Sequence, residues 1–168
     1  MKAIYQAFIT IVLVIGLLPL SALANDEESD EFEPLPIIRD LREEAKLAEQ
    51  RQRPILILFS MRLCEFCAFI RQEYLIPRMN NPKSADKIIF REIQTESYKY
   101  LRDFDGEIIG ADKIAMRYKA DLTPTLVMIN SKGEELVKKI VGITNRSYYE
   151  SELDASIDAA YQKVLSNN

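Results

Sequence analysis

The alternation of apolar and polar positions predicts a folded domain in which helices and strands succeed one another. Apolar residues recur at helical spacing after Pro36, and Arg53-Pro54 ends that helix; its apolar positions are Ile37, Ile38, Leu41, Ala45 and Ala48. Residues 55–59 form a continuous apolar run, which is typical of a strand buried on both faces of a sheet. A second helix is predicted over residues 65–76, ended by Pro77 and the Asn80-Asn81-Pro82 cluster, and its expected core positions are Phe66, Phe69, Ile70 and Tyr74.

The second half of the chain predicts three more strands and two more helices. The strands cover residues 87–95, 125–129 and 135–141, and the tight turn Ser131-Lys132-Gly133 pairs the last two as a hairpin. A turn at Phe104-Asp105-Gly106 precedes a short helix over residues 111–118. A final helix carries an apolar stripe at Tyr149, Leu153, Ile157, Ala160 and Val164. The order α-β-α-β-α-β-β-α predicts a layered α/β domain with a mixed sheet over residues 37–168.

The first 24 residues are predicted to be a cleavable signal peptide. Lys2 precedes an apolar run over residues 7–20, and Ala22-Leu23-Ala24 supplies the small residues that a signal peptidase reads. The alternative is an uncleaved anchor, but the run falls short of the ~20 apolar residues that span a bilayer. Residues 25–36 then form an acidic tail without a basic residue, which predicts a solvated segment. We therefore expect an extracytoplasmic protein, in a compartment where disulfides are made and exchanged.

Composition excludes several classes of function. A formal charge of −4 argues against a nucleic-acid partner, which calls for a basic face. The chain has no histidine, which excludes Ser-His-Asp and Cys-His catalysis and every His-ligated metal site. Only two cysteines are present, so any sulfur chemistry takes place at that one pair.

The two cysteines lie in the sequence Cys64-Glu65-Phe66-Cys67, at the start of the second predicted helix. At a helix N-terminus the free backbone N–H groups favour the thiolate of Cys64, the attacking species in thiol–disulfide exchange. Cys67 lies one turn deeper, where it can resolve a mixed disulfide. An inert disulfide is the first alternative, although so short a loop adds little stability. Half of a zinc site is a second alternative, but the chain has no further soft or nitrogen ligands to complete it. A copper-handling protein is a third, and the absence of histidine and the spacing of the two cysteines argue against it.

A second motif, Thr123-Pro124-Thr125, comes directly before the strand predicted at residues 125–129. With it, the stretches PILILFSMRLCEFC and DLTPTLVMINSKGEELVKKIVG and the closing amphipathic helix resemble the thioredoxin superfamily, in particular its secreted bacterial thiol–disulfide oxidoreductases. The resemblance covers residues 37–165. It implies a thioredoxin fold, with a mixed central sheet of about four to five strands flanked by helices. It also implies a monomer that needs no cofactor and no metal.

The resemblance assigns roles to single residues. Cys64 would be the nucleophile and Cys67 the resolving cysteine, joined as a disulfide in the oxidised form. Pro124 would be the family's cis-proline, beside which the backbone of Thr123 binds an extended substrate segment. Gly142 would end the hairpin close to the site. Phe66, between the cysteines, is expected to contact substrate together with its neighbour in the motif, Glu65.

The chain also departs from the pattern of the family. Leu58 stands where many thioredoxins carry a buried acid, so a carboxylate that moves the proton of the resolving thiol is missing unless another acid replaces it. Leu63 stands where the family usually has tryptophan, and Glu-Phe replaces the Gly-Pro dipeptide. The charge of Glu65 should raise the pKa of the Cys64 thiol and so make the dithiol a better reductant.

Together with the resemblance, these observations predict a periplasmic enzyme that reduces or exchanges disulfides in secreted proteins. The chain has no glycine motif for a nicotinamide cofactor, so we expect a membrane reductase to supply the electrons. A disulfide oxidase or isomerase is one alternative. A binding module of the same fold, whose cysteines are locked as a disulfide, is the other.

Overall fold

The structure is a computed structural model that describes residues 34–96, 98–143 and 145–167. The predicted signal peptide lies outside these residues, and so does the predicted tail up to residue 33. The predicted boundary between the acidic tail and the folded domain lies at residue 37, but the residues just before it are already packed. Leu35 is only 1% exposed, and the carbonyl of Pro36 accepts a hydrogen bond from the N–H of Glu92 at 3.0 Å. The packed part of the chain therefore includes these two residues before the predicted boundary.

A mixed sheet of four strands forms the centre of the molecule. Its strands are β1 (Ile55–Ser60), β2 (Ile89–Gln94), β5 (Thr125–Ile129) and β6 (Ile140–Val141), in the order β2-β1-β5-β6. Strand β1 is parallel to β2 and antiparallel to β5, which in turn is antiparallel to β6. Every residue of β1 is buried, because helices cover the sheet on both faces. The prediction of a mixed sheet of four to five strands flanked by helices is confirmed.

The helices divide between the two faces of the sheet. The packed residues place α1 (Leu41–Arg51) and α5 (Ala111–Arg117) on one face. The opposite face carries the cysteine helix and α6 (Arg146–Ser166). We use the term cysteine helix for the continuous run of α2 (Glu65–Ile70), a π-helical turn (Arg71–Leu75) and α3 (Ile76–Met79). A single turn, α4 (Pro82–Ala85), follows it. Leu56 and Leu58 face the cysteine helix, whereas Ile57 and Phe59 face the other layer.

The first helix begins later than its apolar spacing predicts. Asp40 caps it by accepting the N–H of Arg42 at 2.9 Å, and the helix starts at Leu41. Ile37 instead pairs with Glu92 along the outer edge of β2. The prediction that residues 37 and 38 are helical is therefore wrong, because backbone pairing with the sheet replaces the helical turn.

The cysteine helix continues past Pro77, which was expected to end it. Its π-helical turn lies immediately before, and there the N–H of Ile76 bonds to the carbonyl of Arg71, five residues back. Proline is tolerated in the first turn of a helical segment, where its missing N–H is not needed. The wider turn before Pro77 resets the pattern of hydrogen bonds, so the helix extends to Met79.

Two strands differ from the prediction near the end of the sheet. The last hairpin pairs as predicted, but its second strand covers only Ile140–Val141 rather than residues 135–141. Leu136 is buried in the core, and Val137 packs against the same core. Successive side chains of a strand point to opposite faces of the sheet, so Leu136 and Val137, which pack on the same core, do not belong to a regular strand. A separate hairpin of β3 (Tyr100–Arg102) and β4 (Ile108–Gly110) was not predicted beyond the turn that joins the two strands.

Candidate active site

Cys64 and Cys67 form a disulfide, with an S–S distance of 2.01 Å, where β1 gives way to the cysteine helix. Cys64 is the cap of this helix, and its sulfur accepts the N–H of Cys67 at 3.1 Å. The two cysteines differ in exposure. Cys67 is fully buried at 0%, whereas Cys64 is partly exposed. Only Cys64 therefore presents its side chain to a partner in solution.

The segment that leads from β1 to Cys64 is tied to the end of β2. Both the N–H and the hydroxyl of Thr95 donate hydrogen bonds to the carbonyl of Ser60, at 2.9 and 3.1 Å. The N–H of Arg62 donates a hydrogen bond of 2.6 Å to the carboxylate of Glu96. These side chains fix the entry to the cysteine helix, and sequence reasoning had missed them. No local pattern points to them, since they act across the sheet.

Thr123 and Pro124 lie at the same end of the sheet as the cysteines. Phe59, near the end of β1, pairs with Thr125, the first residue of β5, so the segments that flank the two strands emerge together. The Thr123–Pro124 peptide bond is cis. The carbonyl of Pro124 accepts the N–H of Gly142 at 2.8 Å. No hydrogen bond joins the backbone of Thr123 to another described residue, so its N–H and carbonyl are open to a ligand.

Exposed apolar side chains surround both segments. Leu63 is 90% exposed and Phe66 is 61% exposed, one on each side of Cys64 in the sequence. Leu122 and Val141 are exposed beside the Thr123–Pro124 segment. The expectation that Phe66 points into the core is wrong, because the first turn of the cysteine helix projects it outward. Its expected place beside a substrate agrees with this exposure.

Glu65 is exposed and makes no ion pair with any described residue. Leu58, at the position of the family's buried acid, is fully buried. A carboxylate does lie close by on the same face of the sheet, at Glu92 of β2, the residue paired with Leu58. Glu92 is 2% exposed and contacts the guanidinium of Arg71. Sequence reasoning had missed it, because its place beside the cysteine helix depends on how β1 and β2 pair.

A cleft of about 310 Å³ lies beside Cys64 on the side of β2. Arg62, Arg71 and Glu92 contribute charged groups to its wall, and Ile37 and Ile76 contribute apolar ones. The described residues include no group of three or more side chains of the types that hold metal ions. Apart from residues 97 and 144, the chain from Pro34 to Asn167 has no helix with the length and hydropathy needed to cross a bilayer.

The profile of the thioredoxin-like domain matches residues 41–157, which include both motifs of the site. The chain belongs to the thioredoxin superfamily. No curated protein matches it significantly. Among solved structures, thioredoxin from Malassezia sympodialis superposes with a TM-score of 0.51 at 18% identity, over 79% of this chain and 98% of that one.

Two further thioredoxins have similar statistics. Mitochondrial thioredoxin 3 of Saccharomyces cerevisiae in its oxidised form has a TM-score of 0.49 at 18% identity, over 74% of this chain and 93% of that one. Poplar thioredoxin h has a TM-score of 0.49 at 22% identity, over 69% of this chain and 86% of that one. Membership of the thioredoxin superfamily and the Cys64–Cys67 pair together support thiol–disulfide oxidoreductase activity in general.

Proposed function

We propose that this thioredoxin-like protein reduces or exchanges disulfide bonds of secreted proteins in the periplasm. The observation that carries the proposal is the asymmetric cysteine pair, in which Cys64 is partly exposed and Cys67 is fully buried. An inert disulfide needs no such difference between its two sulfurs. A two-step exchange does need it, because one sulfur must meet the substrate and the other must wait until that substrate is bound.

In the reaction, the reduced protein acts as the electron donor. The Cys64 thiolate attacks one sulfur of a substrate disulfide, and a mixed disulfide forms while the other substrate sulfur leaves as a thiol. The Cys67 thiolate then attacks Cys64, which releases the second substrate thiol. The substrate gains two electrons and two protons, and the protein ends as the Cys64–Cys67 disulfide. A membrane reductase of the thiol–disulfide class would restore the dithiol.

The surface around the cysteines suits an extended, partly apolar protein segment. Leu63, Phe66 and Leu122 offer exposed apolar area, which drives association when it is buried. The free N–H and carbonyl of Thr123 can pair with the backbone of the incoming segment, as in the addition of a short strand. This mode of binding recognises backbone and apolar side chains rather than one particular sequence.

The direction of electron flow follows from the charge beside Cys64. Glu65 places a carboxylate next to the nucleophilic sulfur, which opposes formation of a thiolate. A less stable thiolate makes the reduced form less stable, so the dithiol gives up its electrons more readily. We therefore favour a reductase over an oxidase or an isomerase.

Insulin reduction tests the activity. In the presence of dithiothreitol, the wild-type protein should precipitate the insulin B chain well above the uncatalysed rate, and Cys64→Ser should abolish the effect. A wild-type rate equal to that of Cys64→Ser would instead favour a binding module with locked cysteines. The compartment is tested separately, by mass spectrometry of the protein from a periplasmic extract. We expect a chain that begins at Asn25.

A further inference from the structure

Glu92 is a buried carboxylate whose two oxygens are both engaged. The Nε of Arg71 donates to Oε2 at 2.9 Å, and Nη2 donates to Oε1 at 2.5 Å. The hydroxyl of Ser60 donates a further hydrogen bond to Oε1. A buried charge is tolerated when it is paired and hydrogen-bonded, and this arrangement meets both conditions. Glu92 and Arg71 are therefore held as an anion and a cation.

This ion pair lies one helical turn beyond the buried cysteine. Arg71 follows Cys67 by four residues, and its N–H donates to the carbonyl of Cys67. Side chains four residues apart lie on the same face of a helix, with their Cβ atoms about 5–6 Å apart. The cleft beside Cys64 is lined by both members of the pair. The guanidinium and the carboxylate therefore lie within electrostatic range of both sulfurs.

The geometry argues for an electrostatic role of Glu92 rather than a role in proton transfer. A general base needs a free lone pair directed at the proton that it removes. Three of the four lone-pair sites of the Glu92 carboxylate already accept hydrogen bonds, two from Arg71 and one from Ser60, and among the described residues no hydrogen bond joins this carboxylate to either cysteine. Leu58, which pairs with Glu92 across the strands, has no acidic group. In the described structure the acid on this face therefore compensates the charge of Arg71.

We propose that the Arg71–Glu92 ion pair sets the redox potential of the Cys64–Cys67 couple, with Glu92 cancelling a cation that would otherwise stabilise the thiolate. Both are positioning residues, which act on the cysteine couple through their charges. The inference rests on the proposed function, because it assumes that the disulfide is reversibly reduced. The proposal predicts that the redox potential of the Cys64–Cys67 couple is lower with both charges present than with the charge of Arg71 alone.

The test is the equilibrium between the protein and glutathione. Two molecules of glutathione reduce the protein disulfide, so that one S–S bond breaks in the protein, one forms between the glutathione sulfurs, and Cys64 and Cys67 gain two electrons and two protons. At pH 8, Glu92→Gln should increase this equilibrium constant about three- to tenfold, which corresponds to a rise in potential of ~15–30 mV. Arg71→Gln removes the cation instead and should shift the constant in the opposite direction.

The double variant separates charge from loosened packing. With both charges removed, Arg71→Gln/Glu92→Gln should return to within about twofold of the wild type, since no charge is left uncompensated. If Glu92→Gln does not fold, Arg71→Gln and the double variant carry the test together, because the first should shift the constant and the second should not. Asp103→Asn is the matched control, because Asp103 is 5% exposed and is likewise held by an arginine, Arg117. Asp103 belongs to the β3–β4 hairpin and not to the cysteine site, so its replacement should leave the constant unchanged.

Three results would overturn the proposal. The first is an equal shift of the glutathione equilibrium constant in Glu92→Gln and in Asp103→Asn. The second is a shift of this constant in the same direction in Glu92→Gln and in Arg71→Gln. The third is a double variant whose constant differs from that of the wild type as much as that of Glu92→Gln does. Failure of the proposed function would be recognised separately. A glutathione equilibrium can be measured for any reversible disulfide, even in a protein that does not reduce insulin. A Cys64–Cys67 disulfide that excess glutathione cannot reduce would overturn both.

Discussion

The N–H of Cys67 points at the sulfur of Cys64, with a nitrogen-to-sulfur distance of 3.1 Å. A hydrogen bond from a backbone donor at the start of a helix stabilises negative charge on the sulfur that accepts it. Cys67 lies inside the first turn and has no contact with solvent. The two sulfurs of one disulfide therefore face different environments, and we expect this difference to decide which of them reacts first.

Alkylation of the reduced protein should show this order. With a limiting amount of iodoacetamide, we expect Cys64 to be modified several times faster than Cys67, as measured by peptide mass spectrometry. Denatured protein is the control, in which the two rates should converge. In Cys67→Ala, a mixed disulfide with substrate should accumulate through Cys64. Faster labelling of Cys67 in the folded protein would reverse the assignment.

Replacing Glu65 by glutamine should make the couple slightly more oxidising. Loss of the carboxylate removes a charge that opposes the thiolate, so the pKa of the Cys64 thiol should fall. Glu65 is exposed, where water screens its charge, so the potential should rise by only about 10–20 mV. A glutathione titration of both proteins at one pH resolves such a change. A fall in potential would contradict the expected sign.

The exposed side chain of Leu63 should contribute to substrate binding and not to the redox potential. Leu63→Gln should raise the KM for insulin about three- to tenfold, because partial burial of a leucine against the substrate recovers less than half of the about 1.5–3 kcal/mol that full burial is worth. Leu165→Gln is the control, since Leu165 is also exposed but lies near the end of α6, close to residues at the opposite end of the sheet. Equal values of KM in the two variants would remove Leu63 from the binding surface.

Gly133 and Gly142 both have positive φ, but alanine should be tolerated only at the second. At Gly133 a Cβ would lie 2.7 Å from the ring of Phe104, whereas at Gly142 no atom of the described residues around it lies within 4 Å. We expect Gly133→Ala to lower the free energy of unfolding by about 2–4 kcal/mol and Gly142→Ala by about 1 kcal/mol. Urea unfolding followed by circular dichroism gives both values. Equal losses would mean that the contact with Phe104 relaxes freely.

The ion pair of Asp103 and Arg117 should make stability depend on acid pH. The hydrogen bond from Arg117 holds the pKa of Asp103 below its ordinary value of 3.8. A lowered folded pKa gives stability that is complete above the unfolded pKa and is lost as the pH falls through the folded one. At pH 7, Asp103→Asn should cost about 1–3 kcal/mol.

The same comparison at pH 3 completes this test. There the difference between wild type and Asp103→Asn in urea unfolding should shrink, because below pH 3.8 the Asp103 carboxyl of the unfolded wild-type chain takes up a proton, which favours the unfolded state. A difference that stays constant from pH 7 to pH 3 would show that Asp103 acts through packing or neutral hydrogen bonds instead.

The sequence predicted those parts of the molecule that local patterns determine. Strand β1 was predictable because its apolar run is unbroken, and the cysteine pair because its spacing fits a helix start. The β3–β4 hairpin was not, because its strands are three residues long and depend on distant contacts such as that between Arg102 and Arg39.

The same limit applies at the site. The position of Glu92 beside the cysteine helix depends on the register between β1 and β2, which no local pattern in either strand specifies. The outward orientation of Phe66 depends on where the helix begins, and helical spacing alone does not fix that point. Residues that act across the sheet were therefore the ones missed.

The pairing of Ile37 with Glu92 also bears on how copies of this chain meet at high concentration. Unpaired strand edges are where folded β-proteins join into aggregates. Here the stretch around Ile37 lines the outer side of β2, and the strand at the opposite border, β6, is only two residues long. The central sheet thus offers little backbone for a strand of a neighbouring copy to extend.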